Sequence, residues 1–558
     1  MTTPLLKVKN LSVCVKDKQD KQHKIVNNIS FDIKPGEVIA LIGESGSGKT
    51  TISLSSMGFA RPGCFITDGE VQLDDESVLK KTLKELQTLR GKEITYVAQS
   101  AAASFNGAMT INAQVTEIPI ITKAMTKEEA LNKAKNLYKE LELPNPDTIG
   151  LRYPHQVSGG QLQRLMAAMA MISDPKLLIL DEPTTALDVT TQIEVLHSFK
   201  KLIKTNKTAA IYVTHDLSLV AQIADNILVL KDGMQIEYGT TSQIIKNPKE
   251  DYTKALIAAA HIMPDELSSS YLNTSKLAPL IDVQDITAGY GRQQEMIAVE
   301  NVNLSIEPGE TVGIIGESGS GKTTLGRIIS GLMAPKTGCV MLNGKPLQGD
   351  LSLRSRGDLR DIQFAFQMAD VALNPRQKIE KILGRPMQFY KKLSKREMHY
   401  EVEKLLSRVE LPTEFSNRYP TELSGGQRQR INLARALAAE PKLIICDEIT
   451  SALDTIVAQQ ILDLLESLQE ELGLSYLFIT HNIATVAQIS KRIAVMREGK
   501  IVQRGSPYNI YNSPVDRKSA EFFSEINLAA PAVSIKLMPA STTAFKMISL
   551  CLAFIGFR

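Results

Sequence analysis

The sequence is 558 residues long, 43% hydrophobic and 22% charged, a balance that suits several soluble domains with sizeable cores. Its 64 basic and 61 acidic residues leave a net charge of only +3, so composition gives no reason to expect a nucleic-acid partner. The five cysteines, Cys14, Cys64, Cys339, Cys446 and Cys551, are scattered. None stands at metal-ligand or disulfide-framework spacing, which excludes zinc modules and reads as a reduced compartment.

The N-terminal stretch MTTPLLKVKNLSVCVKD has neither the apolar core nor the cleavage site of a signal peptide. An apolar strand is expected at Val38–Ile42, followed by Gly43-Glu44-Ser45-Gly46-Ser47-Gly48-Lys49-Thr50-Thr51. This matches G-x-x-x-x-G-K-[ST] in its required context, between a strand and a helix. Glycines let the loop's N–H groups turn toward phosphate oxygens, and the helix N-terminus adds a favourable field. Lys49 can neutralise terminal phosphates, and Thr50 can ligate Mg2+.

A charged, helix-periodic segment spans 127–142. Ser158-Gly159-Gly160-Gln161 follows, and then a buried strand at 177–180 ending in Asp181-Glu182. An aspartate at such a strand end can hold a cation shell, and the next glutamate can polarise a water. Another apolar strand, 211–213, ends in Thr214-His215.

Residues 263–278 are polar, rich in serine and asparagine, and contain Pro264, which marks a linker. The first domain is therefore 1–262, the second 279–528, and 529–558 a tail. The 11 nearly all-apolar residues from Met547 to Phe557 are too few to span a membrane and read as a segment that frays or docks on the protein, with contact to a membrane surface as the alternative.

The second domain repeats the first. A strand at Thr311–Ile315 leads into Gly316-Glu317-Ser318-Gly319-Ser320-Gly321-Lys322-Thr323-Thr324. A helical segment at 395–410 follows, then Ser424-Gly425-Gly426-Gln427, then strands at 443–446 and 477–479 ending in Asp447-Glu448 and Thr480-His481. The two lysines are 273 residues apart, and the signature serines, aspartates and histidines are each 266 apart. A period this long is a duplicated domain, not a solenoid. Strands alternating with helices predict a mostly parallel sheet covered on both faces.

The order phosphate loop, Gln99, Val157–Gln161, Asp181-Glu182, Thr185-Ala-Leu-Asp188 and His215 resembles the nucleotide-binding domain of ATP-binding-cassette proteins. The second half matches with Gln367, Leu423–Gln427, Asp447-Glu448, Ser451-Ala-Leu-Asp454 and His481. The resemblance implies an α/β fold: two P-loop NTPase domains, each a mainly parallel sheet core with an antiparallel β subdomain and a helical subdomain. It implies ATP and Mg2+ as ligands. It also implies head-to-tail pairing, so that Lys49, Gln99, Asp181, Glu182 and His215 face Ser424–Gln427, while Lys322, Gln367, Asp447, Glu448 and His481 face Ser158–Gln161. Cation contacts fall to Thr50, Gln99, Asp181, Thr323, Gln367 and Asp447, and the water-positioning role to Glu182 and Glu448. Three departures, Val157, Ile449 and Asn482, remove no catalytic group.

A finer likeness points to importers of peptides and nickel, through Asn374-Pro375-Arg376 after Gln367, a degraded Ser104–Gly107 after Gln99, Arg152-Tyr-Pro154, Arg418-Tyr-Pro420 and Pro248…Tyr252-Thr253. It implies two integral-membrane permease subunits and an extracytoplasmic binding protein as partners, no nucleic acid, and a peripheral position on the cytoplasmic face of the membrane. The competing classes are a tandem cassette acting on ribosomes, which usually carries a long charged helical linker, and a fused sugar-type importer. The family stacks adenine on an aromatic residue near the end of the first strand. Tyr290 has that place in the second half, whereas alignment sets Val15 there in the first, beside a two-residue insertion and His23.

Overall fold

The structure, a computed structural model, describes residues 3–16, 21–184, 189–260, 278–291, 294–451 and 453–512. The linker proposed at 263–278 lies outside these residues except for its last position, as do the tail at 529–558 and the segment Thr185–Asp188.

In the first half, a parallel sheet runs in the order Ile94–Val97, Leu177–Asp181, Ala209–Val213, Val38–Ile42 and Asn226–Lys231, and the antiparallel Met234–Thr240 extends it. The second half repeats this order with Ile362–Ala365, Leu443–Asp447, Ser475–Ile479, Thr311–Ile315 and Arg492–Arg497, extended by Lys500–Gly505.

Both faces of these strands are covered, which explains their unbroken apolar runs. Along Val38–Ile42, alternate residues enter different cores. Val38, Ala40 and Ile42 pack into a layer with the helices, while Ile39 and Leu41 meet the antiparallel strands.

Those antiparallel strands are Leu6–Lys16, Gln22–Ile33 and Cys64–Leu73 in the first half, and Ile281–Tyr290, Met296–Ile306 and Thr337–Leu342 in the second. Backbone bonding ties them to the parallel core in each half: Asn27 N–H donates to Gly233 O, where Gln22–Ile33 meets Met234–Thr240, and Glu300 N–H donates to Gly499 O, both at 2.8 Å.

The helix-periodic segments fold as expected, Lys127–Glu140 and Lys395–Arg408. Each starts on a reciprocal cap, Thr126 with Glu129 and Ser394 with Glu397, which satisfies N–H groups that the first turn leaves open.

The halves touch. Helix Asp251–Ala260 of the first lies against Thr455–Leu472 of the second, and Ile456 packs against the first half's core. Among the described residues, no helix is long and apolar enough to cross a membrane.

Candidate active site

Each phosphate loop leaves the end of a central parallel strand and is shaped by glycines that no other residue could replace. A Cβ on Gly43 would lie 2.1 Å from Leu230 O, and one on Gly316 would lie 2.1 Å from Met496 O. Gly48 and Gly321 sit at φ 93° and 100°, left-handed positions open to glycine, and they cap helices Lys49–Ser55 and Lys322–Ser330. The lysine folds over its own loop: Lys49 Nζ donates to Gly43 O at 2.7 Å and Glu44 O at 2.8 Å. Lys322 Nζ makes the same pair with Gly316 O and Glu317 O at the same distances. Burial pushes the Lys49 amine below its ordinary range, against the pull of Glu182, Asp454 and Asp181.

Around each loop the expected acids gather. Thr50 Oγ1 donates to Asp181 Oδ1 and Thr323 Oγ1 to Asp447 Oδ1, both at 3.0 Å. Burial raises both aspartates above the usual carboxylate range. Gln99 Nε2 donates to Glu182 Oε2 at 2.9 Å, and Gln367 Nε2 to Glu448 Oε2 at 2.8 Å. His215 Nδ1 lies 3.2 Å from Glu182 Oε1, and His481 Nδ1 lies 3.4 Å from Glu448 Oε1. Burial alone would raise the Glu448 carboxyl, but the hydrogen bond and charge of His481 outweigh it and hold the carboxyl low. Burial likewise disfavours a charged His215, and Glu182 reverses that to raise its imidazole.

Both glutamates hold left-handed backbones, Glu182 at φ 47° and Glu448 at φ 48°. For a residue with a Cβ this costs on the order of 1 kcal/mol. Their N–H groups are fixed by Val213 O at 2.9 Å and Ile479 O at 2.8 Å. The strain therefore aims each carboxylate from the strand end toward its glutamine and histidine.

The signature segments open helices Gly159–Met171 and Gly425–Leu437. Ser158 Oγ accepts from Gln161 N–H and Ser424 Oγ from Gln427 N–H, both at 3.3 Å, while each glutamine side chain accepts from the serine's own N–H. A Cβ on Gly160 would meet Thr191 at 2.3 Å, and one on Gly426 would meet Val457 at 2.4 Å. Asn482 takes the helix N-cap, accepting from Thr485 N–H at 3.1 Å, so asparagine there keeps the local geometry.

Near Lys49 the second half approaches. Thr455 Oγ1 donates to His215 O at 3.0 Å, and Asp454 is close enough for its charge to act on the Lys49 amine. Tyr290 ends its strand with its hydroxyl 2.9 Å from Thr324 Oγ1. Val15 has the equivalent register: it pairs with His23 as Tyr290 pairs with Met296. Tyr96, which the sequence did not single out, donates to Asp181 Oδ2 at 2.7 Å.

The loops suit a phosphate chain. Ser47 Oγ and Ser320 Oγ are buried without a hydrogen-bond partner, one in each loop, beside the lysine and the helix N-terminus. A magnesium ion takes few protein ligands and fills its shell with waters and phosphate oxygens. The single Thr–Asp pair at each loop fits that sparse demand.

The ABC transporter family model matches residues 26–185 and 299–451, once in each half. The glutathione import ATP-binding protein GsiA of Escherichia coli K12 is 36% identical over 567 residues, covering 95% of this chain and 90% of the relative. Its Shigella flexneri counterpart is 35% identical over 563 residues with the same coverage. Among solved structures, cbiO1 of Clostridium perfringens is 27% identical with a TM-score of 0.38, over 42% of this chain and 91% of that one. MJ0796, bound to ADP and Pi, is 33% identical with a TM-score of 0.37, over 41% of this chain and 98% of that one. With a family match in each half and close relatives along almost its whole length, the chain belongs to the ABC transporter family as an ATP-binding, ATP-hydrolysing protein.

Proposed function

We propose that the chain is the ATPase subunit of a small-peptide importer, with both ATP sites built between its two halves. The observation that carries this reading is the 36% identity to a glutathione import ATP-binding protein across 95% of the chain, both halves included. Glutathione is itself a short peptide, which agrees with the peptide-importer likeness around Asn374-Pro375-Arg376 and Arg418-Tyr-Pro420. On this reading the partners are two integral-membrane permease subunits and an extracytoplasmic binding protein, and the chain works at the cytoplasmic face of the membrane.

The chemistry follows from the side chains. Loop N–H groups with Lys49 or Lys322 bind and orient the phosphates, neutralising charge where it grows in the transition state. Thr50 and Asp181 with Gln99, or Thr323 and Asp447 with Gln367, would hold Mg2+, which would supply further charge neutralisation. Glu182 and Glu448 hold the attacking water and take its proton, each steadied by its glutamine and histidine. Head-to-tail pairing is supported by Thr455 reaching His215 and by Asp454 acting on Lys49. Serine and helix N-terminus of the opposite signature then close on the terminal phosphate, and its loss releases them. Gln99 and Gln367 begin the segments that meet the permeases.

The test is uptake of labelled glutathione and of di- and tripeptides in cells lacking this chain, with co-purification of a tagged copy. Loss of uptake with membrane subunits in the eluate is expected. Normal peptide uptake, or ribosomes in place of permeases, would overturn the reading.

A further inference from the structure

The two aspartates proposed to hold the divalent cation do not have the same surroundings. In the first half both oxygens of Asp181 are engaged: Oδ1 accepts from Thr50 at 3.0 Å and Oδ2 from the Tyr96 hydroxyl at 2.7 Å. In the second half Asp447 Oδ1 accepts from Thr323 at 3.0 Å, and among the described residues no hydrogen bond reaches its Oδ2. The cause lies three residues before each glutamine. Tyr96 pairs with Ile179 on the neighbouring strand, and Phe364 holds the same register opposite Ile445. Phenylalanine has no proton to donate, and its ring instead tilts against Phe366 with centroids 4.8 Å apart.

A carboxylate turns easily about its last bond, because that torsion is broad. A donor on its far oxygen fixes the plane and so fixes where the near oxygen's lone pairs point. Removing such an outer partner typically costs 10- to 100-fold in metal affinity. The same hydrogen bond withdraws a little charge from the carboxylate. Orientation is the larger effect here, because Thr50 alone leaves the group free to rock about one contact.

We propose that Tyr96 is a positioning residue that makes the two cation positions unequal, the first half holding its divalent ion more tightly than the second. This rests on the reading of Asp181 and Asp447 as the cation-holding acids. The experiment uses the full chain with Glu182→Gln and Glu448→Gln, saturated with a non-hydrolysable ATP analogue, and counts bound Mn2+ by electron paramagnetic resonance. Two classes of Mn2+ differing about tenfold are expected. Tyr96→Phe should weaken the tight class onto the weak one, and Phe364→Tyr should tighten the weak class. The second variant adds a hydroxyl, so its gain cannot come from misfolding. Equal affinities in the parent chain, or two classes unmoved by both exchanges, would overturn the proposal. Asp181→Asn separates the premises: if it leaves the tight class intact, the cation assignment itself fails.

Discussion

The two halves of this chain agree to about a tenth of an ångström at the centre of their glycine loops, and part company at the edges. The lysine-to-carbonyl bonds are 2.7 and 2.8 Å in both, and the Thr–Asp bonds are 3.0 Å in both. Around them, Val15 stands where the other half has Tyr290, and Tyr96 where it has Phe364. Leu162 replaces Arg428, whose guanidinium is 2.6 Å from Asp370 in the segment after Gln367. The lesson is that glycines and strand ends dictate the centre, where a single Cβ would collide with backbone. The rim is set by side chains that can change without moving the chain.

The largest effect should come from the glutamates. Replacing both Glu182 and Glu448 with Gln should cut ATP turnover by roughly 100- to 10,000-fold while ATP binding persists. The two single variants then show whether the halves share turnover evenly. Undiminished hydrolysis in the double variant would remove both residues from the mechanism.

Next is nucleotide affinity. Base–aromatic stacking is worth about 1–3 kcal/mol, so the first site should bind ATP roughly 5- to 150-fold more weakly. Val15 recovers part of the contact, which favours the low end of that range. Equilibrium binding to full-length Lys49→Ala and Lys322→Ala chains isolates each site, and Tyr290→Ala should bring the second toward the first. Equal affinities would break the contrast.

A smaller effect concerns the shared core. Ile456 is half-buried against the first half, so Ile456→Ala should lower stability by about 1–2 kcal/mol, less than for a fully buried isoleucine, and lower the melting temperature. No shift would mean that the contact carries no stability.

The smallest effect is on pH. His215 gains a proton partner in Glu182, so its folded affinity for the proton exceeds that of the unfolded chain. The stability this gives is complete below the ordinary histidine value of about 6.5 and is lost as pH rises through the folded value. Without nucleotide, His215→Gln should flatten the fall of melting temperature as pH rises above the ordinary histidine value. An unchanged slope would show that the pair is not coupled to folding.

Much of this was legible in the residues. The central strands Val38–Ile42 and Thr311–Ile315 and the helices near 127–142 and 395–410 appear as read, because apolar runs and capping pairs are local signals. The equivalence of Val15 and Tyr290 was also readable, since both halves keep one register around their first hairpin. Tyr96 was not. A tyrosine in ITYV is an ordinary strand residue, and only the parallel pairing to Leu177–Asp181 puts its hydroxyl on an acid 85 positions away. Nor could periodicity show that Ile456 completes another domain's core, because its helix is amphipathic whichever body receives the apolar face.

Ile456 has a consequence for how this chain can be divided. Severing the polypeptide between residues 262 and 278 would leave each product with a bare apolar patch where its neighbour had been. The fragments would then remain associated after proteolysis at high concentration and drift apart on dilution, as the tether no longer supplies its millimolar-scale local concentration. Duplication within one chain thus replaces a concentration-dependent encounter with a permanent one, and fixes the ratio of the two ABC-type halves at one to one.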